Sequence, residues 1–176
     1  MAAWLDDAPN AVMLADMHAR CAETYNALFW NASISLYGDW VDTSGVKRFY
    51  GYIWHQALAA DPLSGIADAP RAAAMAAAVT ARLAEIRLQY DKPGLWCAPT
   101  NLWSVAPADS FYNGTLQDQA AFGHYENGCC FMALHGMFEQ LLALGGHRDA
   151  AYASLEAMLA ESDASVSALM LIRAPL

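Results

Sequence analysis

Five carboxylates, Asp39, Asp42, Asp109, Asp118 and Glu126, fall in two long stretches without helical periodicity, and four of the six tryptophans fall there with them. The first stretch runs from Trp30 to Phe49 and contains Tyr37-Gly-Asp39-Trp40-Val-Asp42-Thr-Ser-Gly45. The second, read from Leu95 within the non-helical stretch of Asp91 to about Glu126, contains Asn101, Trp103, Gln119, and then Phe122-Gly-His124-Tyr125-Glu126-Asn127-Gly128. This mixture suits a sugar site. Flat aromatic faces stack on the C–H faces of a pyranose, and amides and carboxylates exchange hydrogen bonds with its hydroxyls. Two carboxyls on opposite sides of a glycosidic bond supply acid and base. A lone Asp in a Gly-containing loop is equally a turn former, and a lone Trp a packing anchor. Co-location of carboxylate, Trp and amide on two loops is what points to a site.

The elements that must position these loops read as helices. Leu14, Met17, Cys21, Tyr25 and Leu28 recur at steps of three and four, predicting a helix from about Asn10 to Phe29. A shorter helix is expected from about Tyr50 to Ala60, where Asp61-Pro62 ends it. The third is expected from Asp68-Ala-Pro70 to about Tyr90, with Met75, Val79, Leu83, Ile86 and Tyr90 as its apolar stripe. Its alanine block favours helix and permits close approach of neighbours. A fourth spans about Asn127 to Leu144, with Phe131, Leu134, Phe138, Leu141 and Leu142 inward, and Gly145-Gly146 stops it. A fifth runs from about Arg148 to Ala160, and Ser162-Asp163 caps a sixth. No strand alternation is visible, so the expected class is all-α. The links run long, short, long, short. Antiparallel helices so joined send both long loops out of one end.

Composition narrows the function classes. Nine Lys plus Arg against 18 Asp plus Glu give a net charge of −9. Without clustered cations, nucleic acid and anionic membrane are not expected partners. The N-terminus carries Asp6 and Asp7 where a signal peptide needs cations and an apolar run, and no stretch of about 18 apolar residues follows. Cys21, Cys97, Cys129 and Cys130 form no CxxC pair, so they are read as reduced thiols of a cytoplasmic protein. No zinc spacing is present, and neither metal nor cofactor is expected. Asn31-Ala-Ser33 and Asn113-Gly-Thr115 are sequons, idle without secretion.

The segments Tyr37-Gly-Asp-Trp-Val-Asp42-Thr-Ser-Gly45 and Gly65-Ile-Ala67, with the helix ending in Ala-Leu-Ala60, resemble consecutive hairpins of the six-hairpin glycosidases. So does Phe122-Gly-His-Tyr-Glu-Asn-Gly128. These are the (α/α)6-toroid glycoside hydrolases and phosphorylases, and the likeness covers roughly Asn10 to Glu161. It implies antiparallel helical hairpins making about half of a toroid, a carbohydrate substrate, and inverting acid/base hydrolysis. It implies Asp42 as general acid, Asp39 as the alternative acid or a hydroxyl ligand, and Glu126 as base. Tyr37, Trp40, Asn101, Trp103, Gln119, His124, Tyr125 and Asn127 are then the substrate-binding residues. A general acid needs a raised pKa, which burial among Trp40 and Tyr37 would give.

Trp54 and His55, on the second helix, are read as packing residues, and His18, His135 and His147 as structural or exposed. A related sugar epimerase or isomerase would lean on histidine, and His124 alone is expected on the loop face. The alternative of another class is a non-catalytic carbohydrate-binding or assembly subunit, or a truncated inactive fragment. The tail after Glu161 does not follow the pattern of a further hairpin. The chain is 57% hydrophobic, against about 45–50% for an ordinary domain. Half a toroid leaves helix faces uncovered at its cut edges, so a homo-oligomer or a missing half is expected to cover them.

Overall fold

The computed structural model describes residues 7–89, 98–109, 122–123 and 127–173, excluding the side chains of 89, 132 and 161–173. The chain is mostly helical. The five helices of the described residues are α1 (Ala8–Phe29), α2 (Ile53–Ala60), α3 (Ala69–Gln89), α4 (Met132–Leu144) and α5 (Arg148–Arg173). Asp7 caps α1 by accepting from the Asn10 backbone N–H at 3.3 Å, and Pro9 sits in the first turn, where its missing N–H is not needed.

The all-α expectation is corrected by two short antiparallel hairpins between α1 and α2. Strand β1 (Trp30–Asn31) pairs with β2 (Leu36–Tyr37), and β3 (Trp40–Val41) with β4 (Lys47–Arg48). Strands of two residues are too short to show an alternating pattern. What makes them is turn chemistry. The Asn31 side chain accepts from the Ser33 N–H at 3.0 Å, and that of Asp42 from the Ser44 and Val46 N–H groups, each at 2.9 Å.

Helix limits shift for identifiable reasons. α2 begins at Ile53 rather than Tyr50, because Gly51 takes φ +68° and Tyr52 takes ψ 121°, both outside the helical region, as their N–H groups turn to the Asp39 carboxylate. α4 begins at Met132 rather than Asn127. Gly128 takes φ +83°, and Cys130 forms a bridge with Pro99, so this stretch is extended. The expected fifth and sixth helices are one, α5, since no Gly or Pro interrupts Arg148 to Arg173 and a capping residue alone breaks nothing.

The core lies where α2 packs on α3 and α4, with α5 against α4. Met75, Val79, Leu83 and Ile86 of α3 are buried as their spacing predicts, as are Phe138, Leu141 and Leu142 of α4. Of the other expected α4 residues, Leu134 is half-buried, and Phe131 is exposed and precedes the helix. Tyr90 lies outside the described residues. The alanine block does permit close approach: a Cβ at Gly145 would stand 2.5 Å from that of Ala76. α1 is different. None of its residues is buried, and Val12, Met13, Leu14 and Met17 are exposed. An apolar groove of about 480 Å³ runs along it, between Met17 and Phe29.

Among the described residues, no helix is long and apolar enough to cross a membrane. The reading of four reduced cysteines is corrected: Cys130 is disulfide-bonded, while Cys21 and Cys129 are free.

His135, wholly buried on α4, ties helices to loop. Its Nδ1 accepts from the Ala98 N–H at 2.9 Å, so the ring proton sits on Nε2, which lies 3.1 Å from Ser154 Oγ and 3.2 Å from Glu139 Oε1. Burial holds this imidazole below its ordinary 6.5, helped by the charge of Arg87, while Ser154 opposes. The unfolded chain therefore takes up the proton first as pH falls. The stability supplied by the neutral ring is whole above pH 6.5 and drains away below it. Glu139 runs the other way: burial raises its carboxyl above 4.5, so its contribution is whole below pH 4.5 and is lost as pH rises through the native value. Thermal melts from about pH 7.5 down to about pH 5.5 should show the native midpoint falling, with a smaller fall in His135→Gln. Equal slopes in the two proteins would contradict this assignment.

Candidate functional site

The two long loops do meet. The backbone N–H groups of Leu102 and Trp103 bond the Tyr50 carbonyl at 2.9 and 3.1 Å, and the Ile53 N–H bonds the Thr100 carbonyl at 3.0 Å. A loop face thus forms from the β3–β4 hairpin, the entry to α2 and residues 98–109. Gly51 makes the contact possible. At φ +68°, a Cβ there would stand 2.8 Å from the Trp103 ring.

Asp39 is the centre of this face. Its side chain is 0% exposed. Oδ2 accepts from the Tyr50 and Gly51 N–H groups, Oδ1 from the Tyr52 N–H at 3.0 Å, and His55 Nδ1 lies 3.0 Å from Oδ1. Three successive N–H groups around one carboxylate make an anion nest. This arrangement supplies both carboxylate oxygens with donors.

Asp42 is built into the β3–β4 turn. Beside its Ser44 and Val46 bonds, Oδ2 lies 2.9 Å from Arg48 Nη2. The Ser44 hydroxyl first, then the N–H groups of Val46 and Ser44 and the Arg48 charge, hold this carboxyl below its ordinary 3.8. The raised pKa that the resemblance implies for a general acid is thus replaced by the opposite shift. Arg48 also reaches Asp109, with Nε 3.2 Å from Oδ2, and Tyr50 donates its phenol proton to the same oxygen. Burial, and then this bond to Asp109, push the Tyr50 phenol up. One guanidinium therefore joins a carboxylate from each loop.

Aromatic rings line the same face. Trp40 packs on Tyr50 at 5.3 Å and on Tyr52 at 6.2 Å between centroids. Tyr52 packs on Trp54 at 4.5 Å. Trp40 and Trp103 are both part-exposed, and Arg82 stands over the Trp103 ring at 5.6 Å.

Other expected binding residues serve the framework. Tyr37 is 0% exposed, packs on Tyr25 and Trp30, and donates its hydroxyl to Asn26. Asn101, also 0% exposed, accepts from the Gly128 N–H and the Thr100 hydroxyl and donates to the Trp103 carbonyl. Asn127 is buried and accepts from the Val105 N–H at 2.9 Å. For Tyr37, Asn101 and Asn127, the expected ligand contact is corrected to a positioning role, because burial turns their polar groups toward the chain itself. Glu126, Gln119, His124, Tyr125 and Asp118 lie outside the described residues.

Sequence reasoning missed Arg48, Tyr50 and His55 as residues of this face, and named Asp109 only as a loop carboxylate. Lys47-Arg48, the one adjacent cation pair beside an acidic loop, was the signal for Arg48. No group of three or more His, Cys, Asp or Glu able to hold a metal ion occurs among the described residues. Comparison with protein-family models, with curated proteins and with solved structures returned no match.

The Asp39→Asn substitution tests the nest. An amide cannot accept from all these donors, so the variant should lose roughly 1.5–3 kcal/mol of stability. Amide hydrogen exchange at Tyr50 to Tyr52 should accelerate. Unchanged exchange there would show that the carboxylate does not organise the entry to α2.

Proposed function

We propose that this chain is a glycoside-hydrolase-like protein whose loop face binds an oligosaccharide. The observation that carries the reading is the row of rings from Trp40 through Tyr50 and Tyr52 to Trp54, set beside the Asp42–Arg48–Asp109 cluster where the two loops meet. The part-exposed Trp40, Tyr50 and Trp54, backed by the buried Tyr52, offer C–H-stacking faces next to charged acceptors and donors for hydroxyls. The half-toroid architecture and the inverting acid/base chemistry rest on the resemblance of the Asp-Trp-x-Asp and Tyr-Glu-Asn-Gly segments. One specific observation favours the non-catalytic alternative: Asp39, Asp42 and Asp109 are all engaged by donors, and none is arranged to lend a proton. We therefore assign binding to this face, and cleavage only in so far as Glu126 takes part. The cytoplasmic expectation loses its main support with the disulfide at Cys130, which favours an oxidising compartment.

Calorimetry with maltotriose, cellotriose, mannotriose and xylotriose should detect saturable binding to at least one of them. Trp40→Ala should weaken it about 3- to 10-fold, the scale of roughly 0.5–1.5 kcal/mol for aromatic stacking. No binding across the panel would reject the reading. Turnover that disappears in Asp42→Asn would return the acid role to Asp42.

The apolar side chains of α1 support a second copy, or a missing half, as its cover. Solution mass measured over a range of concentrations should show a dimer or larger assembly. A monomer at every concentration would reject self-assembly.

A further inference from the structure

We propose that His55 is a ligand-contacting residue of the loop face, its Nε2 accepting a hydrogen bond from a sugar hydroxyl while Asp39 positions the ring. The inference rests on the carbohydrate reading for the class of ligand, and on separate geometry for the residue.

That geometry begins with the proton. Asp39 takes the N–H groups of Tyr50, Gly51 and Tyr52, and a carboxylate only accepts. The atom 3.0 Å away, His55 Nδ1, must therefore carry hydrogen. In a neutral imidazole, the lone pair then falls on Nε2. A buried carboxylate that fixes a histidine tautomer and leaves the far nitrogen as an acceptor is a recurrent arrangement where histidine receives a proton or a hydrogen bond from a substrate.

Nε2 also opens outward. The His55 side chain is 27% exposed, and Asp39 is the hydrogen-bond partner of its ring among the described residues. The buried side-chain polar atoms without a hydrogen bond among the described residues are Arg48 Nε and Glu139 Oε1, so Nε2 is not shut inside the protein. The ring is held between neighbours, edge-on to Trp54 at 5.4 Å and tilted against Tyr52 at 5.8 Å. Of those two rings Tyr52 is buried and Trp54 is part-exposed, so the acceptor is contiguous with a ring on which a pyranose would stack. His135 has the opposite polarity: its Nδ1 receives a backbone N–H, its Nε2 carries the proton, and it is wholly buried. Of these two histidines, His55 alone presents an acceptor to solvent.

Carbethoxylation with diethyl pyrocarbonate, read by mass spectrometry on the native chain, tests the proposal without a variant. His55 should be modified, and the panel sugar that binds in calorimetry should protect it. Two substitutions separate ligand contact from structure. His55→Asn keeps an N–H near the Nδ1 position and deletes Nε2, and should weaken sugar binding about 3- to 10-fold. His55→Gln places an amide oxygen near the Nε2 position and should restore part of that loss. A His55 that resists modification overturns the proposal. So does equal affinity in the native, Asn and Gln proteins, or a bound sugar that leaves His55 unprotected. Failure of every panel sugar to bind overturns the carbohydrate reading as well, and calorimetry distinguishes that case from the others.

Discussion

A buried carboxylate in a fold of this size must be surrounded by donors, because an unpaired charge removed from water costs several kcal/mol. Asp39 meets that demand with three consecutive backbone N–H groups and a histidine. The consequences spread outward. The Tyr50–Tyr52 backbone wraps the carboxylate with Gly51 at φ +68° and Tyr52 extended, so α2 starts only at Ile53. The bend at Gly51 then brings Trp103 and Leu102 close to the chain. The Tyr50 carbonyl is left to receive the second loop. A single ionised side chain thus sets where a helix begins and where two loops join.

The same logic separates two kinds of polar residue on the loop face. Asn101, Asn127 and Thr100 bond one another and the backbone of Trp103, Val105 and Gly128, and so hold an irregular segment in place. Arg48, Asp109 and Tyr50 form an ionic and phenolic cluster between loops, while the Trp40-to-Trp54 row borders it. The framework residues are the more deeply buried set. Rigid support under a partly exposed aromatic surface is what preorganised recognition requires.

Much of the helical scaffold is legible in the sequence. The stripe Met75, Val79, Leu83 and Ile86 is buried as its period predicts, and Gly145-Gly146 ends α4 as expected. The same period at Leu14, Met17 and Cys21 does not tell whether anything covers it, and α1 leaves these residues exposed. The hairpins were not legible because two-residue strands carry no alternation. Nor does the sequence show that Asp42, the acid that the family resemblance implies, accepts from Ser44, Val46 and Arg48 within the β3–β4 turn. The partnership of Asp39 with His55 spans 16 residues and two elements. No local pattern reports such a pair, and only the folded chain shows it.

Gln56 gives the β1–β2 hairpin a property that its length alone would not. Its amide oxygen accepts from the Tyr37 N–H at 2.9 Å and its amide nitrogen donates to the Tyr37 carbonyl at 3.0 Å. This is the bonding pattern that one residue of a neighbouring strand would supply. At Tyr37, a helix side chain therefore occupies the edge where another chain would otherwise add by β-augmentation. The hairpin is two strands wide, and its β2 edge is withheld at Tyr37 from edge-to-edge association.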